Sequence, residues 1–257
     1  MLQSQRKFWG KRPGFDTGDL IHFGVNVGFA VTLFVMVRYW NLPHLAAVLV
    51  LISKWRIFAV QSRFWVPNLK ANLVDIVVGL STVMLMYQAD SQALALFWAM
   101  LFSFWLIFVK PKTSDLYVGM QALWSQFIGL LTVFSTFSLL EFAPIGILLV
   151  WLISWSSARH FLGNYEEPHY KILSLIWALS TTQIAWVGFH WINYYQFFGV
   201  NISTTVLFVT IIAGTCGALY HAYHQQKLTK NKVLENVFFG LALIAVLMAT
   251  SPWVSQL

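Results

Sequence analysis

Ser156-Ser157-Ala158-Arg159-His160-Phe161-Leu162-Gly163-Asn164-Tyr165-Glu166-Glu167-Pro168-His169-Tyr170-Lys171 is the densest run of ionisable residues in the chain. Apolar sequence flanks it on both sides, with Leu148-Leu149-Val150-Trp151-Leu152-Ile153 before it and Ile172-Leu173-Ser174-Leu175-Ile176-Trp177 after it. These flanks are apolar all round and not along one stripe, which is how a helix reads when lipid surrounds it. The polar run is then a loop between two membrane spans, and the same alternation recurs along the whole chain.

Composition agrees. Of 257 residues, 58% are hydrophobic and 10% charged, where a soluble domain carries about 25% charged residues. The charge is too sparse to cover a water-facing surface. Thirteen Trp, nine Tyr and 22 Phe suit aromatic belts at two membrane interfaces. Cys216 is the only cysteine, which excludes a disulfide framework. The net charge of +7 does not point to nucleic acid, because the basic residues fall in the loops between apolar runs.

The apolar runs predict an all-α, polytopic transmembrane bundle of about nine spans, at 20–37, 42–57, 71–87, 93–109, 116–139, 145–157, 172–191, 203–220 and 233–250. A single membrane domain, 20–250, is expected between a basic N-terminal segment, 1–19, and a short C-terminal stub, 251–257. The first span carries Gly24-x-x-x-Gly28, a spacing that lets two helices approach closely. Residues 193–201 read as an aromatic loop. The sixth run is short, so its helix is expected to continue through Leu162 and stop at Gly163-Asn164, with Pro168 opening the next helix.

Orientation follows from the basic residues. Nine alternating spans put every one of the 16 Lys and Arg on one side except Arg38. Lys and Arg concentrate on the cytoplasmic side of a membrane. The N-terminus is therefore expected inside and the C-terminus outside, in a cell membrane of prokaryotic cytoplasmic type.

Three groups of residues are candidates for chemistry. Arg159, His160, Glu166, Glu167 and His169 gather in the loop at the cytoplasmic face. In a catalytic reading Arg159 holds an anionic head group, Glu166 or Glu167 serves as base or metal ligand, and His160 or His169 moves protons. Arg159 is expected to meet Glu166 or Glu167. The second group is metal-like: Glu166 with His169, and His221 with His224, each spaced i, i+3, as in carboxylate-bridged metal bundles. The third group is Asn26, Gln126, Thr182 and Gln183, each near the middle of a span. These are candidates for a polar substrate pocket or for hydrogen bonds between helices.

No Asp, Glu, Lys or Arg lies mid-span, as a proton-coupled pump or ion channel would usually show, and no phosphate-binding loop for a nucleotide is present. Two functions fit the sequence. One is a non-enzymatic carrier, or a component of an envelope complex. The other is a membrane-embedded enzyme acting on a lipid-linked substrate at the cytoplasmic face through the loop from Arg159 to Lys171. The expected partners are membrane lipid and a small polar or lipid-linked ligand, with no nucleic acid. The sequence assigns no cofactor and no oligomeric state.

Overall fold

The computed structural model describes residues 17–137, 143–190, 193–197 and 200–251. Most of the expected N-terminal segment (1–16) and C-terminal stub (252–257) lies outside the described residues. So do positions 138 and 139 of the fifth span and 191 of the seventh.

The described chain is helical apart from its loops and one β-hairpin. The helices are α1 (Thr17–Arg38), α2 (Pro43–Ile52), α3 (Trp65–Gln88), α4 (Gln92–Phe104), α5 (Asp115–Thr136), α6 (Ala143–Asn164), α7 (Tyr170–His190), α8 (Thr204–His224) and α9 (Lys230–Thr250). A π-helical turn, Trp105–Val109, continues α4. Eight of these elements are long and apolar enough to cross a membrane.

The exception is α2. Its expected span, 42–57, forms only ten helical residues, Pro43–Ile52, about 15 Å of helix. Pro43 opens it, and the basic residues after Ile52 break into short 3-10 turns, Trp55–Ile57 and Ser62–Phe64. The next helix begins earlier than the hydropathy suggests, at Trp65, because Pro67 falls in its first turn, where a missing N–H costs nothing.

The sixth helix runs on to Asn164, beyond the apolar run, as its short span required. The eighth likewise continues to His224, since no Gly or Pro stops it near its end and its polar residues find partners there. The aromatic segment after α7 is not a plain loop. Tyr194–Phe197 pairs antiparallel with Val200–Ser203, in register Tyr194 to Ser203, as aromatic and β-branched residues favour.

Side-chain bonds fix which helix ends lie together. At one end, Arg38 Nη1 donates to the Ala89 carbonyl at 2.9 Å. Gln88 Nε2 donates to Thr136 Oγ1 at 2.7 Å, and Tyr195 Oη donates to the Leu247 carbonyl at 2.8 Å. At the other end, Lys54 and Lys110 meet Asp75, Asn164 Nδ2 donates to Asp115 Oδ1 at 3.0 Å, and Tyr165 meets His221. Asp75 and Ala89 belong to the same pass, so α1 and α3 run in the same direction. The chain between them returns through α2, antiparallel to α3, with Val50 against Gly79 and Lys54 against Asp75.

The core sits between α3, α4, α5 and the helices around them, and Phe134 stacks on Phe189 at 4.5 Å between ring centres. Close helix contact is made by glycines other than the pair in α1. A Cβ on Gly129 would stand 2.8 Å from Ile153, one on Gly146 2.7 Å from Phe189, and one on Gly240 2.6 Å from Thr215. Gly24 and Gly28 meet nothing within 4 Å among the described residues. Their face of α1 is open, contrary to what their spacing suggests. The spacing permits close packing but does not supply a partner.

Candidate ligand-binding site

Small residues open a cavity of about 590 Å³ among α5, α6, α7 and α8. Gly119 on α5, Ala158 on α6, and Gly214 and Gly217 on α8 stand where larger side chains would fill the space. Phe161 leans across it, 3.5 Å from a Cβ built on Gly119. The wall is mostly apolar, with Leu116, Met120 and Leu173 among its residues. The volume is in the range of sites that hold a small organic molecule, about 300–1,000 Å³.

Two polar zones break this wall. The first is deep. Trp177 Nε1 donates to Gln126 Oε1 at 3.2 Å. An indole N–H can only donate, so the amide oxygen faces Trp177 and the NH2 faces away. Gln126 is 3% exposed and its Nε2 has no partner among the described residues. Ser157 also lines the cavity, is 1% exposed, and its Oγ has no partner among the described residues. Two buried polar groups beside one cavity are costly when unsatisfied, at about 1–3 kcal/mol each.

The second zone is the mouth. Asp115 opens α5, and Asn164 at the end of α6 donates to it. Tyr165 Oη lies 2.6 Å from His221 Nδ1. Burial, and then the Asp115 carboxylate, push the Tyr165 phenol up, so it stays neutral. Tyr220 donates to Glu167 Oε2 at 2.5 Å. That bond is the main cause holding the Glu167 carboxyl below its ordinary range. His224 Nε2 is 3.7 Å from the same oxygen, beyond hydrogen-bond reach. Phe161, Tyr165, Tyr220 and His224 pack ring against ring here, with centres 4.6 to 5.6 Å apart. Asp115 is the only Asp, Glu, Lys or Arg on the cavity wall among the described residues. From Asp115 to Gln126 is eleven residues of α5, about 16 Å.

The residues singled out in the sequence are divided by this geometry. Glu167 and His221 come to the mouth, and Gln126 to the deep wall. Arg159 does not meet Glu166 or Glu167. Its guanidinium stands 5.6 Å from the Trp155 ring centre and 5.8 Å from that of Tyr170, on aromatic faces that hold a cation well. His160 turns inward and bonds Gln121 Oε1 at 2.9 Å. Gln121 Nε2 in turn donates to the Val109 and Lys112 carbonyls, both at 2.9 Å. That ties α6 to the frayed end of α4 through α5, so His160 and Gln121 have a structural task.

Glu166 and His169 are both exposed, and Glu166 adopts a left-handed φ of 51°. With His221 and His224 they form no group of three potential metal ligands among the described residues. Asn26 bonds the His22 ring and carbonyl on its own helix. Thr182 donates back to the Ala178 carbonyl at 2.7 Å, and Gln183 is exposed on the outside of α7. Of the four mid-span polar residues, only Gln126 reaches the cavity.

Sequence reading passed over Ser157, Trp177 and Tyr220 as site residues, and the glycines that open the cavity. Each reads alone as an ordinary residue of a span. The available signal was Gly119 on α5 with Gly214 and Gly217 on α8, small residues on two helices that also carry aromatic residues. No protein-family model matches the chain, nor does any curated protein or solved structure.

Proposed function

We propose that this membrane protein binds a lipid-like molecule between α5, α6, α7 and α8 and works as a carrier or as the ligand-holding part of an envelope complex. The observation that carries this reading is a mostly apolar cavity whose lining includes Gln126 and Ser157, two residues with a buried polar atom, Nε2 and Oγ, that has no partner among the described residues. The occupant in this reading is an apolar molecule that carries a carbonyl or ether oxygen. Its head group lies at the Asp115 mouth, about 16 Å away along α5, and is neutral or cationic because the nearest fixed charge is a carboxylate. The end that bears Asp115, Lys110 and the loop after α6 is cytoplasmic in this reading, since Lys and Arg collect there.

A second reading is favoured by a specific contact. Beside the mouth Tyr220 donates to Glu167, and His224 stands 3.7 Å from the same carboxylate oxygen. An enzyme acting on a lipid-linked substrate would use Glu167 as its base at the cytoplasmic face.

Cys216 supplies the test, since it is exposed and on the cavity wall. Purified protein is extracted and its bound lipids identified by mass spectrometry, while a maleimide probes Cys216. A stoichiometric amphiphile should co-purify and slow the labelling, and Gln126→Leu should lose both effects. Absence of a bound amphiphile, with labelling unchanged by added lipid, rejects the site. Turnover of the bound molecule that disappears in Glu167→Gln selects the enzyme over the carrier.

A further inference from the structure

A second concave region lies at the same end of the bundle and has the opposite character. The chain leaves α2 as Ser53-Lys54-Trp55-Arg56-Ile57, and these residues wall a groove of about 570 Å³ with Asn68, Asn72 and Lys110. Asn68 and Asn72 are four residues apart, so they share one face of α3. Lys110 follows the π-helical turn that ends the fourth pass. Three separate segments therefore bring three cations and two amides to one groove.

The charges do not balance. Lys54 Nζ lies 3.0 Å and Lys110 Nζ 3.1 Å from the same oxygen, Asp75 Oδ2. The two ammonium groups are thus no more than about 6 Å apart, close enough to repel strongly away from water. One carboxylate facing one lysine would be enough to pin α2 to α3. A second lysine adds a charge that Asp75 cannot neutralise. Arg56 adds another, and it has no carboxylate within ion-pair distance among the described residues. The Lys54 side chain is only 12% exposed, so water compensates its charge poorly. The Asn68 side-chain amide has no hydrogen-bond partner among the described residues, while Asn72 Nδ2 is held by the Asn68 carbonyl at 2.9 Å.

We propose that this groove binds a phosphate-type anion, with Lys54 and Lys110 on its oxygens, Arg56 closing over it and the Asn68 amide donating from the side. Such an anion removes the uncompensated positive charge and accepts several donors at once, which are the conditions for strong charge-assisted bonds. The shared chemistry is a tetrahedral phosphate monoanion or diester, and it has two sources: the head group of an anionic membrane lipid or a soluble phosphate compound. The site is independent of the cavity among α5, α6, α7 and α8.

The test uses the full chain in nanodiscs of phosphatidylcholine. One arm adds inorganic phosphate against chloride at matched ionic strength. The other replaces about a fifth of the lipid with phosphatidylglycerol, a ratio chosen to keep surface charge modest. Binding is read as a rise in melting temperature and as lipid retained in native mass spectrometry. The wild type should respond to at least one probe. Lys110→Gln and Arg56→Gln should each weaken that response by about tenfold, the value of one charge-assisted hydrogen bond. Both side chains are partly or fully exposed, so these variants should fold. Asp75→Asn should bind more tightly if it folds, because it removes the competing carboxylate; a purely structural cluster would not gain affinity. A response to phosphatidylglycerol alone assigns the lipid source, and a response to free phosphate assigns the soluble one. No response from the wild type, or equal responses from wild type and both cation variants, overturns the site. Gln126→Leu should leave the response unchanged, which separates this result from the fate of the cavity.

Discussion

At the scale of the residue, the loop after α6 is fastened by a different contact from the one its composition suggests. Arg159 and the two glutamates look like an ion pair in sequence, since they are the nearest opposite charges. In the fold Arg159 rests on aromatic rings, and Glu167 is held by a hydroxyl from α8, Tyr220. A partner 53 positions away has no local signature, so this bond was not legible. Its consequence is pH dependence. The Tyr220 bond lowers the Glu167 pKa in the folded protein. The stabilisation is therefore present above the unfolded carboxylate value of about 4.3, and it is lost as pH falls through the lower folded value. Glu167→Gln should melt below the wild type at pH 7. The difference should close as the pH is brought below about 4.3. A difference that stays constant down to acid pH would show that the carboxylate charge plays no part in anchoring the loop.

At the scale of the element, the apolar runs were legible because lipid demands about 20 apolar residues from any crossing helix. Helix ends were less so. The end of α6 at Asn164 was legible from its short apolar run, but α8 extends beyond its own because His221 finds a partner in Tyr165, and hydropathy does not see partners. The β-hairpin was missed because a span count treats any short polar or aromatic interval as a connection. Glycines show the same limit. Gly24 and Gly28 have the right spacing and no neighbour among the described residues, while Gly129 carries no motif and lies under Ile153 and Val77. Gly129→Ala should thus force a shift in a packed core, at a cost of about 1–3 kcal/mol. Gly28→Ala should leave stability unchanged or slightly raised, since alanine is the better helix former. Melting of the two variants in one detergent checks this, and a neutral Gly129→Ala would mean that α5 and α6 are packed more loosely than the contact implies.

At the scale of the whole molecule, the question is whether ten residues of α2 count as a crossing. Two contacts bear on it. Arg38 reaches the carbonyl of Ala89 at one end of α3, and Lys54 reaches Asp75 well down the same helix. Between Arg38 and Lys54 the chain has come back along most of α3, although only about 15 Å of that path is helix. The 3-10 turns that follow carry Trp55, Arg56, Arg63 and Phe64, residues suited to an interface where water and lipid meet. The chain after α2 is thus at the end of the bundle opposite Arg38. The later helices then alternate, and the end of α9 falls at the Arg38 end, beside Tyr195 and Thr204. With the basic end in the cytoplasm, reporters fused after Lys112 and Lys171 should read cytoplasmic, and one fused after Leu257 should read external. Arg38→Glu should not invert this arrangement, because a single charge opposes the many at the other end. A cytoplasmic reading after Leu257, with the other two unchanged, would place both ends of α8–α9 differently from the bundle described. External readings after Lys112 and Lys171 would invert the molecule and move the cavity mouth and the cationic groove to the outer face.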